Sequence, residues 1–140
     1  MTDPLDLYKA QILEHSKHPR NQGPLEGATH EAKGINPLCG DRVTLRLRVE
    51  DGVVTRIAFE AKSCAIARAS ASILTEAVAG LSVEAAQSRA DRLLSIVAGD
   101  EATAEDGPLA PLAGVRRFPS RKRCATLAWT TLTEALRPAP

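Results

Sequence analysis

The sequence is poor in aromatic residues, has few cysteines and lacks any long apolar run. Phe, Trp and Tyr together make up 3% of the 140 residues, so the core must be built from Ala, Leu, Ile and Val. No uninterrupted apolar stretch approaches the roughly 20 residues that a membrane-spanning helix needs. The N-terminus lacks the apolar segment of a signal peptide. We therefore expect a cytoplasmic protein that does not insert into a membrane.

Neither sign of charge is in excess, because 18 Lys and Arg residues face 17 Asp and Glu residues. This balance excludes a strongly basic nucleic-acid-binding protein and an acidic tail protein, so we expect no nucleic-acid partner. Hydrophobic residues make up 44% and charged residues 25% of the chain. These values are typical of one folded domain, which we assign to residues 1–140.

A pair of strands is the clearest structural signal. Polar and apolar residues alternate through residues 42–49, which is typical of a strand with one buried face. The pair Asp51-Gly52 favours a hairpin turn, and β-branched residues fill the returning strand at residues 53–61. A weaker pattern indicates a short additional strand at residues 28–33. These features predict a small antiparallel sheet.

The remaining patterns are mostly helical, with an acidic loop expected at residues 100–108. The predicted helices cover residues 4–16, 65–79, a segment capped by Ser82 that runs to residue 98, 109–117 and 121–136. Strands that precede most of the helices favour an α+β domain, in which the helices pack on one face of the sheet.

Three cysteines, too few and too far apart for a disulfide framework, fall near the ends of these elements. Cys39 lies in a tight turn before the alternating strand, Cys64 at the start of a helix, and Cys124 in the first turn of the last helix. Helix N-termini favour thiolates through their dipole and their free N–H groups. Asp41 and Cys39 would project to the same side of an extended segment. Together these residues offer four donors suited to tetrahedral zinc.

Other interpretations of these residues stay open. A free cysteine is often a small buried hydrophobic residue, and the spacing matches no standard zinc finger. Three histidines compete as ligands, although none has a partner at metal-ligand spacing: His15, His18 and His30. A basic cluster precedes Cys124 and could lower the pKa of its thiol, dock an acidic partner, contact phosphate, or simply be a solvated helix start. The cluster consists of Arg116, Arg117, Arg121, Lys122 and Arg123.

Four segments are similar to a known family. They are residues 7–21 at the N-terminus and residues 36–41, 63–72 and 121–129 around the three cysteines. In this order, and over nearly the whole chain, they resemble the SufU branch of the IscU/NifU N-terminal-domain superfamily. The resemblance implies the SufE/IscU-like fold, a three-stranded antiparallel sheet with helices on one face, and a role in iron–sulfur cluster assembly.

The resemblance also implies roles for individual residues and partners. It makes Cys39 the sulfur acceptor and places Arg121, Lys122 and Arg123 in a basic motif beside the site. The zinc ligands that it implies are Cys39, Asp41, Cys64 and Cys124. The implied partners are a SufS-type cysteine desulfurase, which donates persulfide sulfur, and a SufBCD-type assembly complex, which receives it.

Departures from the cluster scaffolds of this superfamily favour sulfur transfer. Arg123 stands where IscU-type scaffolds carry a histidine. Residues 118–122 stand where those scaffolds carry a Leu-Pro-Pro-Val-Lys stretch that a dedicated chaperone recognises. The segment between Cys64 and Cys124 is also longer than the corresponding segment of the scaffolds, as it is in SufU proteins. We therefore predict a zinc-dependent sulfurtransferase that is second substrate and activator of a desulfurase, without deciding whether it acts as an enzyme in its own right. The alternatives are a scaffold that binds iron or an iron–sulfur cluster, and a structural zinc module.

One further departure concerns the backbone next to Cys64. Ser63 stands where the family usually has glycine, and Ala67 stands where it usually has serine. A serine can replace glycine only where the backbone φ suits a residue with a Cβ atom. The geometry around Cys64 therefore depends on the φ of Ser63.

Overall fold

A computed structural model describes residues 4–137 as three strands, four α-helices and two 3-10 segments. Residues 1–3 and 138–140, which the predicted domain includes, lie outside the described residues. The strands are β1 (His30–Asn36), β2 (Asp41–Glu50) and β3 (Val53–Lys62). The helices are α1 (Pro4–Lys17), α2 (Ala65–Val78), α3 (Val83–Ala98) and α4 (Lys122–Leu136), and the 3-10 segments are Ala104–Arg117 and Pro119–Arg121.

The sheet is antiparallel, with strand order β1-β2-β3, and its strict alternation decides which face is buried. Val43, Leu45 and Leu47 are almost fully buried under α2 and α4, whereas the intervening side chains of β2 face away from the helices. Asp51 and Gly52 both have positive φ, as the hairpin turn between β2 and β3 requires. The predicted α+β fold, with helices on one face of a three-stranded sheet, is confirmed.

Strand β1 lies further along the chain than the predicted 28–33. It runs to Asn36 because Asn36 pairs with Asp41 and so extends the ladder to the turn that holds Cys39. Gly34 weakens the strand pattern in the sequence, yet it stands where β1 passes close to α4. A Cβ atom at this position would lie 2.0 Å from Oγ1 of Thr131. The glycine therefore permits the close approach of strand and helix.

Helix α2, predicted at residues 65–79, is buried on almost all sides. Helices α1 and α4 and strand β3 pack around it. Its small side chains let these neighbours approach closely, and its buried serines Ser70 and Ser72 find hydrogen-bond partners within the core. Cys64 stands at the N-terminus of this central helix, so its backbone position is set by the core.

The predicted short helix and the second part of the predicted acidic loop form two 3-10 stretches within Ala104–Arg117, separated by a kink at Gly107, whose φ is 55°. Pro108 and Pro111 lack the N–H group that an α-helix needs, which accounts for the tighter, irregular winding. Asp106 anchors the segment through two hydrogen bonds from Arg92, at 2.7 and 2.9 Å. Among residues 4–137, no helix combines the length and apolar character needed to cross a membrane.

Candidate metal centre

Asp41 links the end of the sheet to the start of α2. Its Oδ1 accepts a hydrogen bond from the backbone N–H of Cys64 at 3.0 Å, and its Oδ2 accepts one from the Cys64 thiol at 3.4 Å. Burial acts to raise the pKa of Asp41. Hydrogen bonds from the Cys64 backbone and from all three thiols outweigh burial, so the pKa of this carboxyl lies below its ordinary value. A buried carboxylate thus stands at the centre of the three cysteines.

The turn that carries Cys39 is built by Asn36. The Asn36 carbonyl accepts hydrogen bonds from the N–H groups of Cys39 at 3.3 Å and Gly40 at 2.7 Å, and its side-chain oxygen accepts one from Leu38 at 3.1 Å. Gly40 has a φ of 78°, a conformation that favours glycine. The turn leaves Cys39 exposed. No role was predicted for Asn36 from the sequence, although an Asn-Pro pair before a glycine is typical of such turns.

Cys64 is the N-cap residue of α2. Its Sγ accepts a hydrogen bond from the N–H group of Ala67 at 3.5 Å, the role that Ser or Asp more often fills. The only non-glycine residues of 4–137 with positive φ are Asn21 and Asp51, so Ser63 adopts a conformation open to any residue. Serine in place of the usual glycine therefore imposes no backbone strain beside Cys64.

Cys124 lies in the first turn of α4 and is 1% exposed. Burial, together with the hydrogen bond to Cys64 and the charges of Cys64 and Asp41, raises the pKa of Cys124 to about 12. For Cys124 the thiolate that was expected at the helix N-terminus is opposed by burial, which favours the neutral thiol.

Three ligand atoms form a compact group. The Sγ atoms of Cys39 and Cys124 and a carboxylate oxygen of Asp41 all lie within 4.8 Å of one another. Cys64 falls outside this group of three, but its thiol contacts Asp41 at 3.4 Å. Thiolates and a carboxylate are donors that zinc accepts, and a bound cation deprotonates a thiol that would otherwise stay neutral. The donor set therefore fits zinc, and the full set of four ligands stays a prediction.

The three histidines considered as ligands lie outside this group. His15 is buried beside α2, where Nδ1 forms a hydrogen bond with the Ser72 hydroxyl at 2.8 Å. His30 bonds to Thr29 at the far end of β1, and His18 is exposed after α1. The fold thus separates the histidines from the cysteines.

Within the basic cluster, Arg121 reaches the site. Its hydrogen bond with Cys124, together with the charges of Cys64 and Cys124, raises the pKa of Arg121. Arg116 turns away and donates to the carbonyls of Ala113 and Asp100. Lys122 is half-buried and Arg123 is exposed at the start of α4. Arg121 is therefore the cation best placed to offset the negative charge of thiolates.

An apolar groove of about 340 Å³ beside the site was not predicted from the sequence. Tyr8 and Phe118 stack there with ring centroids 6.0 Å apart. The Tyr8 hydroxyl is buried and has no hydrogen-bond partner in residues 4–137. Burial raises the pKa of Tyr8, and the nearby charges of Cys64 and Cys124 act in the same direction. No local pattern connects residues so distant in the chain, so the sequence carried no signal for this groove.

Comparison with known proteins places the chain in a family. Residues 7–137 match the family described as the NifU-like N-terminal domain. The iron–sulfur cluster assembly scaffold protein IscU of Streptococcus pyogenes serotype M1 is 42% identical over 134 residues, which cover 94% of this chain and 83% of the relative. The zinc-dependent sulfurtransferase SufU of Bacillus subtilis is 36% identical over 132 residues, which cover 93% of this chain and 89% of the relative.

A solved structure gives the same result for the fold. It is described as an iron–sulfur cluster assembly scaffold protein for the SUF system of Fervidobacterium islandicum and is 29% identical to this chain. The two superpose with a TM-score of 0.87 over 94% of this chain and 98% of the other. The cysteine motifs, the fold and these likenesses agree, and the chain belongs to the NifU-like N-terminal domain family.

Proposed function

We propose that this protein serves iron–sulfur cluster assembly as a zinc-dependent sulfurtransferase, which accepts persulfide sulfur on Cys39 from a cysteine desulfurase. The observation that carries the proposal is the contrast between two cysteines of one ligand group. Cys39 is exposed in a glycine-containing turn, whereas Cys124 is sealed at the start of α4. The name of the Bacillus relative supports the zinc dependence, and the names of both relatives support a place in cluster assembly or sulfur transfer.

The residues that would hold zinc are Cys39, Asp41, Cys64 and Cys124. The metal, when bound, stabilises thiolates that burial would otherwise keep protonated. Asp41 keeps the backbone of Cys64 in place by accepting a hydrogen bond from its N–H group, and Arg121 lies against Cys124. A carboxylate is a harder ligand for zinc than a thiolate, so one position of the set binds less firmly than the rest.

The transfer step uses the exchange chemistry of thiols and disulfides. The Cys39 thiolate attacks the outer sulfur of a persulfide on the desulfurase and forms a new S–S bond. The S–S bond of the donor breaks, and its cysteine leaves as a thiolate. The oxidised sulfur atom moves as a unit, so the step needs no separate oxidant. Cys39 then carries the persulfide to an assembly complex of the SufBCD type.

The test is to load the protein with sulfur from a pyridoxal-phosphate cysteine desulfurase of SufS type. Mass spectrometry should find one added sulfur atom on Cys39, and the protein should stimulate release of alanine from cysteine. Cys39→Ser and Cys39→Ala should abolish both effects while thermal unfolding shows that the fold persists. Sulfur on Cys64 or Cys124, or stimulation by either variant, would contradict the assignment of Cys39.

A scaffold function is the second candidate, because the Streptococcus and Fervidobacterium relatives are both described as cluster assembly scaffolds. Three thiols around one carboxylate could also hold an iron–sulfur cluster as cargo. Anaerobic incubation with ferrous iron, sulfide and reductant separates the two functions. A visible absorption band that survives gel filtration would favour the scaffold, and its absence, with intact sulfur loading on Cys39, would favour the sulfurtransferase.

A further inference from the structure

The outer face of the sheet carries an unpaired basic patch at the end next to the cysteines. Arg42 of β2 lies directly opposite Lys62 of β3 in the strand register, and Ile35 of β1 lies opposite Arg42 on the other side. Ile35, Arg42 and Lys62 thus form a row across all three strands, which we call the site-side row. The next position along β2 is the metal-site residue Asp41.

The ion pairs on this face distinguish Arg42 from the other arginines of β2. Arg46 pairs with Glu60 at 2.5 Å and with Glu31 at 3.6 Å, and Arg48 pairs with Glu50. Neither the Arg42 nor the Lys62 side chain has an ion-pair or hydrogen-bond partner among residues 4–137, and both residues are exposed. Like charges directly opposite each other destabilise a sheet. The site-side row therefore holds positive charge that the chain itself does not neutralise.

Apolar side chains flank this charge. Ile35 is 54% exposed, and Leu38, immediately before Cys39 in the turn, is 78% exposed. A shallow groove of about 450 Å³ runs over the sheet, and its charged lining consists of Lys33, Arg42, Lys62 and Glu60. Glu60 is the one acid among them, and its carboxylate is already paired with Arg46. Exposed apolar residues beside unpaired cations match the anatomy of a protein interface, in which a partly apolar centre is bordered by charge.

We propose that the site-side row docks an acidic segment of the protein that brings sulfur to Cys39. This inference rests on the proposed function and adds to it a second contact surface, on the sheet rather than on the basic cluster before α4. Carboxylates of the partner would take the place beside Arg42 that glutamates occupy beside Arg46 and Arg48. The contact would hold the donor persulfide over the Cys39 turn, because the row ends one residue from Asn36 and Asp41.

A second copy of this chain is a poor occupant of the row. A symmetric dimer would bring the same surface of two chains together and so set unpaired cations against unpaired cations. Nucleic acid also fits poorly, because Glu31, Glu50 and Glu60 lie further along the same face and would meet phosphates. An acidic, partly apolar protein segment satisfies both the charges and the exposed Ile35 and Leu38.

The experiment measures association of the zinc-loaded protein with the SufS-type desulfurase by surface-immobilised binding at low and high ionic strength. The variants are Arg42→Glu, and Arg42→Glu combined with Lys62→Glu. Arg56→Glu is the matched control, because Arg56 is an exposed cation opposite Arg48 on the same face, away from the site. We expect the double variant to associate about tenfold more slowly at low ionic strength, with little change for Arg56→Glu, since charge at an interface rim acts mainly on the association rate.

A second measurement separates this inference from the proposed function. Sulfur loading of Cys39 in the double variant should need more desulfurase for half-maximal rate but reach the same maximal rate, because the chemistry of Cys39 is untouched. Equal slowing by Arg56→Glu, or unchanged association of the double variant, would overturn the docking surface and leave Cys39 as acceptor. The docking surface would also be overturned if the unsubstituted protein bound a DNA duplex and the double variant did not. Failure of the unsubstituted chain to bind or load would overturn both proposals.

Discussion

The hydroxyl of Ser70 donates a hydrogen bond of 2.5 Å to the carbonyl of Ala125, the residue that follows Cys124. The same hydroxyl accepts a hydrogen bond of 2.9 Å from Nε1 of Trp129. Ser70 lies on α2, whose N-terminus is Cys64, so these bonds join the helices that carry two of the predicted ligands. All of these groups are buried, and the spacing between Cys64 and Cys124 is thus held by a polar contact inside the core.

Replacement of Ser70 by alanine should destabilise the protein. The change leaves the buried Trp129 N–H group without its acceptor, which costs about 1–3 kcal/mol of unfolding free energy. Urea unfolding measures this, and zinc affinity should fall with it, because the two helices lose their connection. Ser88→Ala is the control, because Ser88 is exposed on α3. Both variants replace a helical serine by alanine and therefore change the intrinsic helix propensity by the same amount. Equal stability of the two variants would contradict the proposed coupling.

The approach of β1 to α4 makes Gly34→Ala a steric test of the fold. Gly34 does not have positive φ, so alanine is compatible with the backbone and the cost comes from the Thr131 hydroxyl, 2.0 Å from the added Cβ. We expect a loss of roughly 1–3 kcal/mol in unfolding free energy. Adding Thr131→Ala to the Gly34→Ala variant should restore part of the lost unfolding free energy. If a double-mutant cycle showed no coupling between the two substitutions, strand β1 and helix α4 would be further apart than the structure has them.

The buried His15 should make stability fall in mild acid. Burial and the charge of Arg20 lower the pKa of His15. Because the folded-state pKa lies below the unfolded value of about 6.5, the unfolded state takes up the proton first and the stabilisation is lost as pH falls below that value. His15→Gln should reduce the pH dependence of urea unfolding between about pH 7 and 5. His18→Gln, at an exposed position, is the control, and an equal effect of both variants would contradict the prediction.

The thiols of the metal-free protein should differ in reactivity. After chelation, iodoacetamide at about pH 8 should modify Cys39 first and Cys124 last, because Cys39 is exposed while burial raises the pKa of Cys124 to about 12. Mass spectrometry of digests gives the order. The urea-unfolded chain is the control, in which all three thiols should react alike. Early labelling of folded Cys124 would show that its environment is open.

Several features follow from the sequence because each depends on a local pattern. The alternation at residues 42–49 predicts both strand β2 and its buried face, since side chains on a strand point to opposite sides in turn. The Asp51-Gly52 turn and the ends of α3 at Ser82 and Gly99 depend on residues adjacent in the chain. The cysteine segments likewise indicate the family, because each carries its motif within a few residues.

Only the tertiary structure decided which distant groups come into contact, how deeply they are buried and which charges are paired. Asp41 lies against the thiols of three segments, α2 is enclosed by its neighbours, and Cys124 is buried deeply enough that its pKa rises. Arg42 is left without a carboxylate although Arg46, on the same strand, has two. Desolvation and long-range pairing arise when elements pack together, so no pattern confined to one segment contains them.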